Sequence, residues 1–348
     1  MGVSRTTAII VCLVLGILVC GNAGALEPAA SPPADVKRLL LVSVTRGFRH
    51  SSIPVAEAAL EELGRGPARF HLEYLRIAKE KESDDALRAR FAQAFAPETL
   101  ATFDGVIFAS TTGELPIPDV DRFLAWIRAG KAFIGFHAAT DTLKSSDAYC
   151  EMVGGNFAGH PWTAGNEHGF VVHEPGHRLT RMFPERFRLK DEIYRYDKRF
   201  KPETLRVLIS VDMQASKPQD PYDVPVSWVR DYGQGRVFYT NFGHNESTWR
   251  DPVFREHAIE GMGWALGRFD APATPNPQVQ AASGVRSAIP AAAAASGRAV
   301  DELRGKAEAK IAKDAAWAEG LRPLLFDLRH SEDRGPALAA LVAELDKP

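Results

Sequence analysis

The sequence has few cysteines and no excess of charge of either sign. Three cysteines among 348 residues exclude a disulfide-dense scaffold and a four-cysteine zinc site. A formal net charge of -2 argues against a general nucleic-acid-binding protein, which needs a strongly basic face. Hydrophobic residues make up 45% of the chain and charged residues 25%, which is typical of a globular protein with a buried core.

The longest apolar run lies at the N-terminus, between Ala8 and Cys20. It follows the single basic residue Arg5 and precedes a small-residue pattern that ends at Ala25. This arrangement is typical of a secretory signal peptide, and the run is too short for a membrane-spanning helix. We therefore predict a periplasmic or secreted protein, cleaved after Ala25. An uncleaved anchor is one alternative; a lipoprotein at Cys20 is another, which the large residue Val19 disfavours.

The rest of the chain divides into four segments by composition. We predict a flexible leader at 26–35, an α/β domain at 36–268, a Pro/Ala-rich linker at 269–298 and a helical tail at 299–348. Within the domain, short apolar strands alternate with amphipathic helices. This alternation predicts right-handed βαβ units and a three-layer sandwich with a mostly parallel central sheet.

Three apolar segments predict buried parallel strands, at residues 38–44, 104–109 and 131–136. Each is followed by a loop of polar or small residues, at 45–50, 110–113 and 137–141. Ligands bind at the carboxyl ends of such strands, so we expect the three loops to meet at one binding edge. Further strands are predicted at 169–173, 191–196, 205–211, 224–229 and 235–242, and helices at 251–266, 299–320 and 335–346.

Four histidines stand beside predicted strand or helix ends: His50, His137, His160 and His244. Neutral imidazole is the commonest metal ligand and a natural acid or base near pH 7. Their spacing is not a metal signature, because the sequence contains no HExxH motif. If the four converge, they would bind a divalent metal, zinc being the first choice, or supply acid–base groups. The alternative for each one is a hydrogen-bonded structural histidine.

Two carboxylates are candidates to act with these histidines. Asp141 follows His137 by four residues and would orient an imidazole or bind a sugar hydroxyl; alternatively, it caps the following turn. Glu192 stands at a strand start, where it would be a metal ligand or a general acid or base. The position of Glu192 at a strand start favours a solvated edge charge over these roles. If the histidines and carboxylates do converge, the predicted catalytic residues are His137, His50, Asp141, Glu192 and His244.

The turn at His137 resembles a nucleophile elbow, because the small residues Ala138 and Ala139 follow an apolar strand. A cysteine-dependent enzyme of this shape would carry cysteine at the elbow. Cys150 lies too far along the chain to replace it, and we expect it in the core. Thiolate chemistry is therefore disfavoured. No GxSxG, P-loop or GxGxxG motif occurs in a strand–turn–helix context, which argues against serine hydrolases, NTPases and dinucleotide enzymes.

Several loop residues are suited to binding a sugar. We predict substrate-binding roles for Arg46, Thr112, His160, Trp162 and Trp249. Aromatic faces can stack on the apolar faces of sugar rings, and the two tryptophans lie in polar loops, which predicts exposure. The alternative for most aromatic residues near these loops, Phe48 among them, is core packing. For Arg46 the alternative is an ordinary surface charge.

Taken together, these segments resemble the ThuA-like (trehalose-utilisation) family. The resemblance is carried, in order, by residues 45–54, 104–115, 132–142, 149–161, 191–194, 224–244 and 261–266. It covers about residues 36–268 and implies a flavodoxin-like domain related to class I glutamine amidotransferases, without the glutaminase cysteine. It also implies use of trehalose or a related disaccharide, in some members alongside oxidised (3-keto) sugars.

Two functions from different classes follow from these observations. The first is an exported enzyme that acts on a sugar or glycoside, metal-assisted through the loop histidines. The second is a non-catalytic carbohydrate-binding module that docks a partner through its tail. We expect a small carbohydrate as ligand, no nucleic acid, and a homo-oligomer or protein partner as the role of residues 299–348. A divergent amidotransferase is disfavoured by the missing elbow cysteine.

Overall fold

A computed structural model of the chain describes residues 1–2, 36–66, 68–77 and 82–348. The predicted signal peptide and leader lie outside these ranges, apart from the first two residues. The predicted cleavage point at Ala25 and the alternative lipidation at Cys20 lie outside them too. In the described part of the chain, none of the helices has the length and hydropathy needed to span a bilayer.

A nine-stranded sheet forms the centre of the described structure. The strands, in chain order, are β1 (Lys37–Val42), β2 (Phe70–Leu75), β3 (Gly105–Ala109), β4 (Ala132–Phe136), β5 (Phe157–Trp162), β6 (Glu167–Val172), β7 (Arg186–Lys190), β8 (Ile193–Tyr196), β9 (Arg206–Val211), β10 (Pro225–Tyr232) and β11 (Gly235–Thr240). The sheet order is β2-β1-β3-β4-β11-β10-β9-β6-β7, while β5 and β8 pair separately. Pairings are parallel from β2 to β11 and antiparallel beyond it. Only β10 and β6 therefore run against the others, which confirms a mostly parallel sheet.

Helices cover both faces of this sheet and continue into the C-terminal segment. They are α1 (Ile53–Arg65), α2 (Asp84–Ala94), α3 (Pro97–Leu100), α4 (Val120–Arg128), α5 (Asp147–Val153), α6 (Glu246–Arg250), α7 (Pro252–Ala265), α8 (Pro277–Ser296), α9 (Val300–Lys313), α10 (Ala315–Gly320), α11 (Arg322–His330) and α12 (Gly335–Asp346). Helices α1 and α7 pack on one face, and α2, α4 and α5 on the other. The expected α/β sandwich is present. Strands β5 and β7 and helices α3, α5, α6 and α11 are additions that the sequence pattern did not predict.

Strand β1 illustrates why the central strands are apolar throughout. Leu39 and Leu41 belong to the core on one face of the sheet, whereas Leu40 and Val42 belong to the core on the other. Successive side chains of a strand point to opposite faces. A strand that is covered by helices on both sides therefore needs apolar residues at every position, as these four provide.

The predicted linker at 269–298 is wrong for most of its length. Residues Pro277–Ser296 form α8, which contains Pro290 and buries Val285, Ala288 and Ile289. Alanine has the highest helix propensity of all residues, so an alanine-rich segment folds as a helix once a partner surface buries it. Helices α9–α12 supply that surface, and together with α8 they enclose a third hydrophobic cluster.

The side chain of Asn276 fastens the start of α8 to the central sheet. Strand β6 pairs only with the Ile209–Val211 part of β9, which leaves the beginning of β9 without a strand on that side. There Asn276 Nδ2 donates to the Val207 carbonyl (2.9 Å), and the Val207 amide donates to Asn276 Oδ1 (2.9 Å). Gln280 adds a bond to the Leu205 carbonyl (2.9 Å). The C-terminal helices are thus joined to the domain by buried hydrogen bonds.

Candidate functional site

The three predicted loops meet at the carboxyl edge of the parallel strands. Isolated bridges join Thr45 to Thr112 and Gly113 to Thr142. The amide of Arg46 donates to the Thr112 carbonyl at 2.7 Å. The three loops therefore meet at one edge, as expected from the sequence, and the side chains that follow β1, β3 and β4 share it.

His137 begins a short 3₁₀ helix (His137–Asp141) directly after β4. Its φ of 48° is uncommon for a residue with a Cβ and marks a strained turn, as the elbow resemblance predicted. The ring is fully buried, and its Nδ1 lies 2.9 Å from the Asn241 carbonyl. Because a carbonyl only accepts, Nδ1 carries the proton, and Nε2 presents its lone pair to the sheet edge.

Four side chains surround that lone pair, and each offers one atom that could ligate a metal. These four atoms all lie within 4.8 Å of one another. They are His50, His137, Glu192 and His244, called the His–Glu group below. The Nε2 atoms of His50 and His137 are 3.2 Å apart. Glu192 Oε1 lies 3.9 Å from Nε2 of His137 and 3.7 Å from Nε2 of His244. Ligands of a tetrahedral zinc ion lie about 3.4 Å apart, so these spacings suit a divalent metal.

Two of the histidines are electrically neutral at pH 7. Burial, with smaller contributions from neighbouring imidazoles, lowers the pKa of His50 to about 4. The same causes hold the pKa of His137 well below its usual range. A neutral imidazole has a free lone pair on one ring nitrogen, and uncharged rings do not repel one another. The site therefore offers uncharged imidazole lone pairs to a metal cation.

Asp191 organises the backbone of this site, although the sequence pattern did not single it out. Its carboxylate is fully buried. Oδ1 accepts hydrogen bonds from the amides of Asn245 (2.8 Å) and Glu192 (3.1 Å). Oδ2 accepts from the Gly243 amide (2.7 Å) and the Thr248 hydroxyl (3.0 Å). Burial raises the pKa of Asp191 to about 6. One carboxylate thus ties the segment that carries Glu192 to the loop that carries His244.

Tyr194 and Asn241 are further site residues that the sequence reasoning missed. The Tyr194 hydroxyl lies 3.0 Å from Nε2 of His137, and burial raises its pKa well above the usual range, which keeps it protonated. Asn241 accepts from His137 through its carbonyl and from the Tyr194 amide through Oδ1 (3.0 Å). Both lie within segments that carry the family resemblance, next to residues that were singled out.

The expectation of a solvated edge charge at Glu192 is wrong. Its side chain is only 12% exposed and lies near three histidines. His160, predicted as a fourth metal-binding histidine, is half-exposed and lies outside the His–Glu group, with Nδ1 3.3 Å from Glu192 Oε2. Asp141 pairs with Lys144 (3.4 Å) rather than with an imidazole, and burial raises its pKa.

Two predicted substrate-binding residues have other partners. The exposed Arg46 guanidinium pairs with Asp84 at 2.6 and 3.2 Å. Thr112 is buried, and its Oγ1 accepts from the Gly47 amide (3.1 Å) and donates to the Phe48 carbonyl (2.9 Å). Thr112 therefore shapes the loop between β1 and α1 from beneath.

The prediction that Trp162 and Trp249 are exposed for sugar stacking is wrong. Both belong to the hydrophobic core. Trp162 Nε1 donates to the Pro218 carbonyl (3.0 Å), and Trp249 Nε1 donates to the Gly243 carbonyl (3.0 Å). Their polar sequence neighbours suggested a surface position, but long-range packing decides their burial. At this edge the exposed aromatic residue is Phe48 (69%).

Cys150 is a buried core residue, as expected from the sequence. Its Sγ lies 3.6 Å from Asn156 Oδ1, and burial raises the pKa of the thiol to about 11. A thiol of that pKa is almost entirely protonated at neutral pH and is a poor nucleophile. The elbow position is occupied by His137 instead.

Comparison with known proteins gives a family and two similar folds. The family model ThuA, described as trehalose utilisation, matches residues 38–265. A structure described as that of a ThuA-like protein from Parabacteroides merdae is 17% identical; it covers 69% of this chain and 97% of its own, with a TM-score of 0.51. The structure of a ThuA-like protein from Bacteroides uniformis is 19% identical. It covers 68% of this chain and 94% of its own, with a TM-score of 0.53. At these identities the structures show a shared fold alone. No curated protein matches the chain.

Proposed function

Because the chain belongs to the ThuA family of trehalose utilisation, we propose that it is an exported enzyme acting on a sugar or glycoside. The substrate would be a trehalose-type or oxidised disaccharide, and a divalent metal ion would assist the reaction. The observation that carries this proposal is the convergence of three imidazoles and one carboxylate in the His–Glu group. Their place at the carboxyl edge is where ligands bind in open α/β sheets.

The donor chemistry of the His–Glu group fits a metal such as zinc, which takes nitrogen and carboxylate ligands. The Nδ1 atoms of His137 and His244 contact the Asn241 carbonyl and Asn245 Oδ1 (3.2 Å). Such contacts commonly fix the ring of a metal-binding histidine and leave Nε2 for the metal. A bound divalent ion would polarise a sugar carbonyl or lower the pKa of a bound water.

Three further side chains would act together with this group. The Tyr194 hydroxyl is held protonated 3.0 Å from Nε2 of His137 and would donate a hydrogen bond to a bound sugar. A carboxyl group whose pKa is raised by burial, as for Asp141, is suited to the role of general acid. The half-exposed His160, 3.3 Å from Glu192 Oε2, would contact the sugar beside that carboxylate.

The strand order also supports the finer classification as a flavodoxin-like, class I glutamine amidotransferase-like sandwich. The parallel half reads β2-β1-β3-β4-β11, which is the 2-1-3-4-5 order of flavodoxin-like sheets.

The alternative function, a carbohydrate-binding module with a partner-docking tail, has less support. It was motivated by loop aromatic residues together with the lack of a complete catalytic motif, and two of those aromatics, Trp162 and Trp249, are buried. The proposed export depends on the N-terminal residues 1–25.

Turnover measurements on histidine variants test the proposal. The full chain is incubated with zinc and either trehalose or its 3-keto derivative, and the products are followed by mass spectrometry. We expect His137→Ala and His244→Ala to abolish turnover while circular dichroism stays unchanged. His330→Ala, in helix α11, is the matched control and should keep full activity. Unchanged turnover in both site variants would contradict the assignment, and sugar binding without turnover in the unaltered chain would favour the binding module.

A further inference from the structure

We propose that Phe48 is the platform on which one sugar ring of the substrate stacks, beside the His–Glu group. This inference rests on the proposed function and adds to it the residue that selects a pyranose. The loop between β1 and α1 carries Phe48, so the platform would belong to the same sheet edge as His50.

The first observation is the exposure of the Phe48 side chain. It is 69% exposed, and within the described residues the other large hydrophobic side chains left exposed are Met1 and Phe326. A single exposed apolar residue is ordinary on a protein surface and proves nothing by itself. It does leave at least one face of the ring open to a ligand.

The second observation is the position of the ring. Its centroid lies 4.9 Å from that of His50, at an interplanar angle of 79°. His50 in turn lies 4.7 Å from His137 and 5.2 Å from His244 between ring centroids. Phe48 is therefore one ring away from the His–Glu group. A pyranose that covers its open face would bring its own ring atoms or an adjoining glycosidic oxygen to that group.

The third observation is that the backbone on both sides of Phe48 is held in place. Thr112 Oγ1 accepts from the Gly47 amide and donates to the Phe48 carbonyl. A Cβ at Gly47 would come within 3.3 Å of Thr112 Oγ1, so glycine permits this close approach. An exposed aromatic residue on a fixed backbone is a preorganised binding surface, because little freedom is lost when the ligand binds.

The polar groups around Glu192 and Phe157 would complement a sugar. A pyranose presents a face of C–H groups and an edge of hydroxyl groups, so its site needs an aromatic face with hydrogen-bonding groups around it. His160 is half-exposed beside Glu192, and its ring stacks on Phe157 at 6.0 Å. Lys144 lies over the same Phe157 ring (5.1 Å) and pairs with Asp141. These charged and polar side chains would meet the hydroxyl edge.

Binding of trehalose and 3-ketotrehalose to a set of variants tests the inference. Dissociation constants are measured by calorimetry, and saturation-transfer NMR identifies which ligand protons lie against the protein. We expect Phe48→Ala and Phe48→Leu to weaken binding by about tenfold, because neither offers a flat aromatic face. Phe48→Trp should restore binding, and the ligand C–H protons of one ring face should receive most saturation. Phe326→Ala, which removes another exposed phenylalanine (58%) far along the chain, should bind normally.

The outcomes separate this inference from the proposed function. Elemental mass spectrometry on each variant checks that the metal content is unchanged, so that a loss of affinity is not a loss of the His–Glu group. If the unaltered chain and Phe48→Ala bind a sugar equally, the platform is refuted and the proposed function stands. If Phe48→Leu binds as tightly as the unaltered chain, stacking is refuted in favour of general apolar contact. If the unaltered chain binds neither sugar, both proposals fail.

Discussion

Replacing Asp191 with asparagine should disturb the His–Glu group without altering any of its four side chains. Asp191 accepts four hydrogen bonds through two oxygens, from the amides of Glu192, Gly243 and Asn245 and from the Thr248 hydroxyl. Asparagine has one acceptor oxygen and a donating amino group. Two of the four donors would therefore lose their acceptor and face another donor.

The magnitude follows from two opposing effects. A hydrogen bond to a charged group contributes about 1.5–3 kcal/mol, so the loss of two costs about 3–6 kcal/mol. Burial raises the pKa of Asp191 to about 6. The raised pKa means that these hydrogen bonds do not fully compensate for burial of the charge, and neutral asparagine avoids that burial cost. The loss of folding free energy should therefore be smaller than the ~3–6 kcal/mol of the two lost hydrogen bonds. Metal affinity should fall by about 10–100-fold, as is usual when a residue that orients metal ligands is changed.

Two measurements on Asp191→Asn separate these effects. Denaturant unfolding of metal-free protein gives the free energy of unfolding, and competition with a zinc chelator gives the affinity. The matched control is Asp212→Asn, which changes a buried aspartate that accepts from the Gln214 amide (3.0 Å) and pairs with Arg186. The control should lose stability but keep zinc affinity. Zinc affinity in Asp191→Asn equal to that of the unaltered chain would refute the role of Asp191 in positioning His244.

Three further predictions concern the thiol, the C-terminal helices and pH. Cys150→Ser should leave turnover unchanged. Iodoacetamide should label Cys150 at least tenfold more slowly in the native chain than in the unfolded chain, because the pKa of the buried thiol is about 11. Intact-mass spectrometry follows this labelling. Asn276→Ala should lower the free energy of unfolding by about 2–4 kcal/mol and speed proteolytic release of α8–α12; unchanged proteolysis would contradict this docking. His50, with its pKa lowered to about 4, should make stability fall by about 3 kcal/mol as pH drops from 6.5 to 4, whereas Asp191, with its pKa raised to about 6, offsets that loss. Stability of Asp191→Asn should therefore fall more steeply than that of the unaltered chain, and parallel unfolding curves at pH 7 and 4.5 would argue against these shifts.

The parallel half of the sheet was predictable because its strands are buried on both faces. Such strands read as short apolar runs, and their carboxyl ends meet at one edge whatever the details of packing. That rule predicts that the loops beginning at Thr45, Ser110 and His137 lie close together. The turn at His137 was predictable for a separate reason, because small residues follow an apolar strand there.

The remaining parts of the site depend on long-range contacts that leave little local signal. Glu192 and Tyr194 reach the site because β8 pairs with β5 outside the main sheet and lies beside the end of β11. Asp191 acts through loop amides that any residue type would provide. Trp162 and Trp249 have polar sequence neighbours but pack inward. An alanine-rich segment such as 277–296 is consistent with both a linker and a helix until a partner surface is known.

The metal content of the purified chain shows whether the His–Glu group binds a metal ion. The protein is prepared without chelator and without metal-affinity resin, and elemental mass spectrometry counts the ions per chain. If the group is a metal site, we expect close to one divalent ion per chain, lost in a His137→Ala/His244→Ala double variant and retained in His330→Ala. Absence of bound metal after incubation with zinc and other divalent ions would contradict a metal site, and would leave the four side chains as acid–base or structural groups.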